Sequence, residues 1–384
     1  MKIAYCIPSL YSVSGMERTL SIKANYFAEK LGYDIYIILT DGKNRENAFA
    51  LSDKIKVINL DVNYDDIWRY PLYKKVFSYL LKQIKLRRRL TKVLFEIRPD
   101  ITVSMLRREI NFITKIKDGS KKVGEMHFNK SNYRDFANSG FSFLKKLFAK
   151  IWMYQLIVNL KRLDKFVVLS NEDKEKWFEL DNLAVIYNPL PEFPESISDC
   201  ANKIVVAAGR FVRQKGFDML IDSWRLVAEK HPDWKLKIYG NGNKESFLSQ
   251  INKNGNRESC FLYDAVPDLS DKLSEGSIFA FSSRFEGFGM VITEAMACGL
   301  PPVAFACPCG PKDIIDDGID GFLTNPGEIE PLAEKINFLI ENDDFRKEMG
   351  KKARKRAERF RIELIAQEWD SLFNSLLEKP KSIL

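Results

Sequence analysis

Short runs rich in Val, Ile and aromatic residues recur along the chain, and between them apolar residues return every three or four positions. The runs fit strands buried on both faces, and the intervals fit helices with one apolar side. Such alternation predicts a doubly wound parallel sheet. In the front half, strands are predicted at 2–7, 34–39, 56–60, 100–104, 122–126, 165–169 and 184–187, with helices at about 16–31, 70–97, 141–163 and 171–180. Three prolines, Pro189, Pro191 and Pro194, then end regular structure. Beyond them a second alternation predicts strands at 203–208, 235–239, 260–263, 277–281, 302–305 and 321–323. Helices are predicted there at about 216–230, 244–253, 286–298, 310–316, 328–341, 344–359 and 362–378.

Two α/β halves around a Pro-rich joint predict two Rossmann-like domains facing a cleft, the default place for a ligand of open α/β sheets. The expected division is 1–190, then 195–360, then a helix at 361–384 that packs back on the first domain. A length of 384 residues suits two to three domains at roughly 150 residues each. It also suffices to bury a core without disulfides or structural metal. No apolar run reaches the roughly 18 residues of a membrane span, and the stretch from Met1 to Pro8 reads as a first strand, not as a leader peptide. The six cysteines are scattered without a Cys-x-x-Cys pair and there are only two histidines. A zinc site is therefore not expected, and the chain reads as a protein of the reducing cytoplasm.

Three blocks carry candidate chemistry. After the first strand, Ser12-Val13-Ser14-Gly15-Met16-Glu17-Arg18 is a small-residue turn opening a helix, where backbone N–H groups and the helix N-terminus suit a phosphate. A plain strand-to-helix turn explains it equally well. After the strand at 203–208, Gly209-Arg210 and Lys215-Gly216 put two cations in one loop, suited to a diphosphate. Taken alone, they would read as solvated charges. The third block, from Phe281 to Pro301, holds Glu286 and Glu294, eight positions apart. Glu286 is expected in the loop entering the helix and Glu294 two turns along, so that both would point the same way. Carboxylates accept paired hydrogen bonds from sugar diols, and Gly287 and Gly289 allow close backbone approach at the helix start.

Together the blocks resemble the retaining glycosyltransferases of family 4, with the two-domain GT-B fold. Within that family the chain is similar to bacterial transferases that build capsule, exopolysaccharide or lipid-linked oligosaccharide. Glu286-x7-Glu294 with its Ser-x-Phe-Glu-Gly-Phe-Gly lead, Gly209-Arg210, Lys215-Gly216, Gly310-Pro311 and the turns at Asp317-Gly318 and Gly321 carry the likeness. It implies a nucleotide-diphosphate sugar, most often a UDP-sugar, as donor substrate, and no cofactor. Arg210 and Lys215 would hold the diphosphate, Glu294 the ribose and Glu286 the donor sugar. Gly287, Phe288, Gly289, Met290 and Val291 would cap sugar or phosphate, and Gly209 and Gly15 would line the donor. His127, just after a strand in Gly124-Glu125-Met126-His127, matches the family's histidine near the reacting sugar. One departure is Ser14, where the family has glycine; serine is less free to take positive φ.

The likeness also implies transfer with retention of anomeric configuration. No Asp-x-Asp triplet occurs, so a bridging metal is not indicated. The acceptor would be a glycan or a polyprenyl-diphosphate-linked sugar. Competing readings are a GT-B epimerase and a non-catalytic nucleotide-sugar-binding or membrane scaffold protein of the same fold. The absent Gly-x-Gly-x-x-Gly speaks against a dinucleotide enzyme.

Charge sharpens the picture. The net +8 divides into +10 over residues 1–200 and −2 over 201–384. Residues 67–95 hold nine basic side chains and no acid, interleaved with aromatics. A second stretch, 141–160, sets Lys145, Lys146 and Lys150 among Leu144, Leu147, Phe148, Ile151 and Val158. Both fit helices on an anionic membrane surface, here the inner face of the plasma membrane. Amphipathic helices packed on the sheet with solvated basic faces are the alternative. Nucleic acid is not expected as a partner, since no recognition fold is present.

Overall fold

The structure, a computed structural model, describes residues 1–130 and 143–378. Two compact units emerge. The first holds residues 1–169, 174–191 and the chain from Ile362 onward; the second holds 170–173 and 192–361.

In the first unit a seven-stranded parallel sheet is built from β1 (Lys2–Ile7), β2 (Asp34–Leu39), β3 (Lys56–Asn59), β4 (Ile101–Ser104), β5 (Lys121–Glu125), β6 (Lys165–Val168) and β7 (Leu183–Val185). Their order across the sheet is 3-2-1-4-5-6-7. Helices α1 (Gly15–Glu29), α2 (Leu72–Ile97), α3 (Phe143–Leu160) and α4 (Asn171–Lys176) lie between them in sequence. Successive strand residues point to opposite faces, and the core divides accordingly. Ile3, Tyr5 and Ile7 join one apolar cluster, and Ala4 and Cys6 join the other. Leu86, Leu90 and Leu94 of α2 and Leu156 and Leu160 of α3 cover the second cluster. Burial on both faces is why these strands read as near-continuous apolar runs.

The second unit has a six-stranded parallel sheet made of β8 (Ile204–Ala208), β9 (Lys235–Tyr239), β10 (Cys260–Tyr263), β11 (Ile278–Phe281), β12 (Pro302–Phe305) and β13 (Phe322–Thr324). The order is 10-9-8-11-12-13. Its helices are α5 (Phe217–Lys230), α6 (Glu245–Lys253), α7 (Ser270–Ser274), α8 (Met290–Ala297), α9 (Pro311–Ile314), α10 (Ile329–Glu341) and α11 (Asp343–Ala357). The last helix, α12 (Ile362–Leu377), belongs to the first unit. There Ile365, Trp369 and Phe373 complete the cluster begun by Leu20, Ala24 and Phe27 of α1. Phe27 and Phe373 meet edge to face at 6.1 Å, and the Tyr33 hydroxyl donates to Asp370.

All thirteen predicted strands form, with ends moved by one or two residues. The helices differ at three places, and residues 141–142 of the helix expected at 141–163 lie outside the described residues. The helix expected at 171–180 ends at Lys176. The short α7 was not predicted. The helix expected from 286 begins only at Met290, because Gly289 takes φ +98° and caps it from the left-handed region. Glu286 sits in the loop before it, as expected, and the argument that two helical turns point it the same way as Glu294 does not apply.

Candidate functional site

Strand order reverses between β8 and β11 in the second unit and between β1 and β4 in the first. At such a switch the loops leaving the two strands diverge to opposite faces and open a crevice beyond the carboxyl ends. The two strongest sequence blocks start there: β8 runs into Gly209-Arg210, and β11 runs into Ser282-Ser283-Arg284-Phe285-Glu286.

Backbone and side-chain hydrogen bonds stitch these two loops together. Arg284 donates its N–H to the Gln214 carbonyl at 2.8 Å, and Gln214 Nε2 donates to the Phe285 carbonyl at 3.0 Å. The Ser282 hydroxyl donates to the Lys215 carbonyl at 3.0 Å. Arg284 also grips Asp218 with a bidentate fork, 2.7 and 2.6 Å. The fork's hydrogen bonds hold the Asp218 carboxyl below its ordinary range. Gly216 makes the close approach possible. It has φ +63°, and a β-carbon there would stand 2.0 Å from the Ser282 carbonyl oxygen.

On this frame Lys215 and Glu286 meet. Lys215 Nζ donates to Glu286 Oε1 at 2.6 Å, and the Ser283 hydroxyl donates to the same oxygen at 2.6 Å. The Glu286 backbone is fixed too: its N–H donates to the Pro308 carbonyl at 2.7 Å, and its carbonyl accepts from Cys309 at 3.3 Å. The lysine stem folds over Gly209, where a β-carbon would crowd it at 3.2 Å. Arg210 is exposed and joins no ion pair among the described residues. Gly287, Phe288 and Gly289 lead into α8, whose first turn carries Met290 and Val291. Glu294 is half-buried one turn further on. Gly310, φ +111°, lets the 306–310 loop close on Phe288, since a β-carbon would lie 1.7 Å from the Phe288 oxygen. The structure thus joins Lys215 to Glu286 beyond the carboxyl ends of β8 and β11, with Arg210 on the same loop as Lys215 and the α8 N-terminus following the loop of Glu286. An amide-bearing helix N-terminus beside two cations is an anion-binding arrangement.

The first unit has a corresponding edge. β1 leads to the turn at Ser14, which keeps ordinary extended backbone at φ −129° and caps α1 at Gly15. No left-handed residue is needed there, which removes the difficulty raised by serine at this position. β5 leads to His127, whose Nε2 lies 3.0 Å from Glu125 Oε1. Glu125 is buried, and its other partner is the equally buried Lys23, whose ammonium also lies 4.2 Å above the Trp369 ring. Burial alone would raise the Glu125 carboxyl, but Lys23 and then His127 hold it down to about 2. Burial pulls Lys23 below its ordinary value, while Glu125 opposes that. Glu125 Oε2 and the Tyr5 hydroxyl are buried with no hydrogen-bond partner among the described residues. β4 leads to Arg107, whose guanidinium lies 4.5 Å above the Phe128 ring.

Sequence reasoning missed Lys23, Arg107, Glu125, Asp218, Gln214, Ser283 and Arg284. Gln214, Ser283 and Arg284 lie inside the blocks already singled out, and Glu125 is an acid two positions before the singled-out histidine. Lys23, Arg107 and Asp218 are joined to the site only by the fold.

The chain is similar to known proteins over nearly its whole length. The family model described as "Glycosyl transferases group 1" matches residues 192–356, nearly all of the second unit. The chain is 28% identical over 376 residues to an uncharacterized glycosyltransferase of Haemophilus influenzae, covering 97% of this chain and 99% of the relative. It is 26% identical over 375 residues to a Campylobacter jejuni protein, covering 96% and 97% respectively. That relative is named GalNAc-alpha-(1->4)-GalNAc-alpha-(1->3)-diNAcBac-PP-undecaprenol alpha-1,4-N-acetyl-D-galactosaminyltransferase. Among solved structures, HepE of Anabaena in complex with UDP superposes with a TM-score of 0.72 at 19% identity, covering 98% of this chain and 100% of that one.

Proposed function

We propose that this chain, which has the GT-B fold and glycosyltransferases as its relatives, moves a sugar, with retention and without a bridging metal, from a UDP-sugar to a lipid-linked or free glycan acceptor during surface polysaccharide assembly. The observation that carries the reading is the Lys215–Glu286 pair, fixed at 2.6 Å where the sheet order reverses, beside Arg210 and the start of α8. As the glycosidic bond breaks, the leaving diphosphate gains negative charge. Donors fixed in advance at that point stabilise it without reorganisation. Lys215 supplies a point charge, Arg210 a forked one and Gly209 room for both. The amides of Gly287 to Val291 supply further donors. Glu286 contacts the donor sugar and keeps Lys215 in place, and Glu294 takes the ribose hydroxyls.

To the first unit we assign acceptor binding, with His127 acting on the transferred sugar and the turn at Gly15 on the donor. The UDP-bound neighbour supports uridine as the base, and the undecaprenol-linked substrate named for the Campylobacter relative supports a lipid-linked acceptor. Retention follows the family resemblance, and metal independence follows the missing Asp-x-Asp triplet. We place the reaction on the cytoplasmic side of the membrane, where nucleotide sugars are made.

The decisive experiment measures nucleotide release from a panel of UDP- and GDP-sugars, with and without polyprenyl-diphosphate-linked acceptors, with and without a chelator. Turnover of a UDP-sugar that survives the chelator and yields a product of unchanged anomeric configuration is expected. Failure with every donor and acceptor would overturn the assignment.

A further inference from the structure

Helix α2 is built with two working faces. On one, Leu86, Leu90 and Leu94 are buried against the sheet. The opposite face should be polar if water covers it, and it is not. Tyr73, Phe77, Leu80, Leu81 and Ile84 stand exposed, Tyr73 at 72% and Phe77 at 65%. At about 100° per residue, all five fall in one stripe. Phe95 extends the same stripe near the helix end and is itself half exposed. A run of large apolar side chains along one helix is unlike the scattered exposed hydrophobics that any surface carries.

Of the basic residues of the helix, Lys92 faces Glu96 at 3.7 Å. Lys82, Lys85 and Arg89 are occupied: they donate to backbone carbonyls of residues 60–63 at 2.5–3.1 Å. Arg87 and Arg88 are exposed and join no ion pair among the described residues. They flank the apolar stripe. Where the stripe passes Ile84 and Phe95 it borders an open groove of about 720 Å³. Ile116 lines it together with Arg87, Arg88, Lys92, Lys115 and Lys117. No carboxylate lines it. Apolar and cationic lining together complement the two halves of an anionic amphiphile. Acyl chains meet the stripe, and phosphate headgroups meet the cations.

We infer that α2 is a membrane-docking helix: its outer face lies in the headgroup region of a bilayer rich in anionic phospholipid, with Phe77, Leu80 and Ile84 inserted and Arg87, Arg88, Lys115 and Lys117 holding lipid phosphates. Among the described residues no helix is long and apolar enough to cross a membrane, so the attachment lies along the surface. The packing of the helix on the sheet is shown by its buried leucines, and the inference concerns its exposed face alone.

The test is vesicle co-sedimentation of the full chain, which reads binding without catalysis, so its failure would leave the glycosyltransferase assignment standing. The probes are phosphatidylcholine vesicles with and without phosphatidylglycerol, at low and high salt. Binding that requires phosphatidylglycerol and weakens with salt is expected. Arg87→Glu/Arg88→Glu should lower the partition coefficient by at least roughly 30-fold. Phe77→Ser/Leu80→Ser should lower it on the order of 100-fold. Both pairs lie at the surface, and circular dichroism checks that they fold. Insertion is read separately by an environment-sensitive label at Leu80→Cys, selective because all six native cysteines are buried. A blue shift on anionic vesicles is expected. A wild-type chain that ignores phosphatidylglycerol at low salt overturns the inference, as does equal binding by both variants. A dimer in solution that Phe77→Ser dissociates would assign the face to a second copy of the chain instead.

Discussion

Lys215 and Glu125 each hold a charge where the fold needs one, and they separate catalysis from stability. Lys215 is part-buried and bonded to a carboxylate and to its own loop, so Lys215→Ala should leave the fold intact. It should lower turnover by about 100-fold or more, read as nucleotide release at saturating donor. Glu125 is different. It is ionised against Lys23 in a buried setting, so Glu125→Gln leaves an ammonium uncompensated and should cost about 3–5 kcal/mol in urea denaturation. Adding Lys23→Met should recover most of that stability, since no buried charge is then left without its counter-charge. Turnover should fall in both variants, because each lacks the carboxylate charge 3.0 Å from His127. The pH dependence follows. The Glu125 carboxyl stands at about 2 in the fold against an ordinary 4.5. Its contribution is therefore complete above about pH 5 and lost as pH falls toward 2, and thermal melts across that window should show the loss in the wild type and not in the double variant.

At the scale of elements, the crevice depends on two loops touching and the first unit depends on a late helix. Gly216→Ala meets both a left-handed φ and the Ser282 carbonyl. It should destabilise by at least about 1–2 kcal/mol and reduce donor turnover together with stability. Trp369→Ala, on α12, empties a buried site beside Lys23 and Phe373. It should cost about 3–5 kcal/mol by chemical denaturation. The strands were legible because burial on both faces forces continuous apolar runs, as in Ile-Phe-Ala-Phe of β11, where all four residues are buried. α7 was not legible, because five residues of Ser-Asp-Lys-Leu-Ser offer one buried leucine and no period. The start of α8 was misplaced because Gly287 and Gly289, one and three residues after Glu286, leave its capping position open, and only the backbone decides that Gly289 turns. The site was half legible. Residues in a motif could be named, but the partners that hold them, Ser283 for Glu286 and Asp218 for Arg284, are fixed by which loops the strand order brings side by side.

At the scale of the molecule, the charge asymmetry and the two units are aspects of one division. The back half of the chain, net −2, carries the group 1 match and Lys215, and the front half, net +10, carries α2. UDP at one hundred times its dissociation constant should add about 2.7 kcal/mol to the state that binds it. A thermal shift of several degrees is expected, absent in Glu294→Ala. The return of α12 has a consequence in time. The second unit is nearly contiguous, so all but four of its residues emerge from the ribosome in one stretch, whereas the first unit lacks Ile365, Trp369 and Phe373 until its final helix is made. Domains generally fold in the order of synthesis, but here the part begun first is finished last. Nascent chains halted after residue 361 and exposed to protease should yield a protected fragment from the second unit, while the first is still digested.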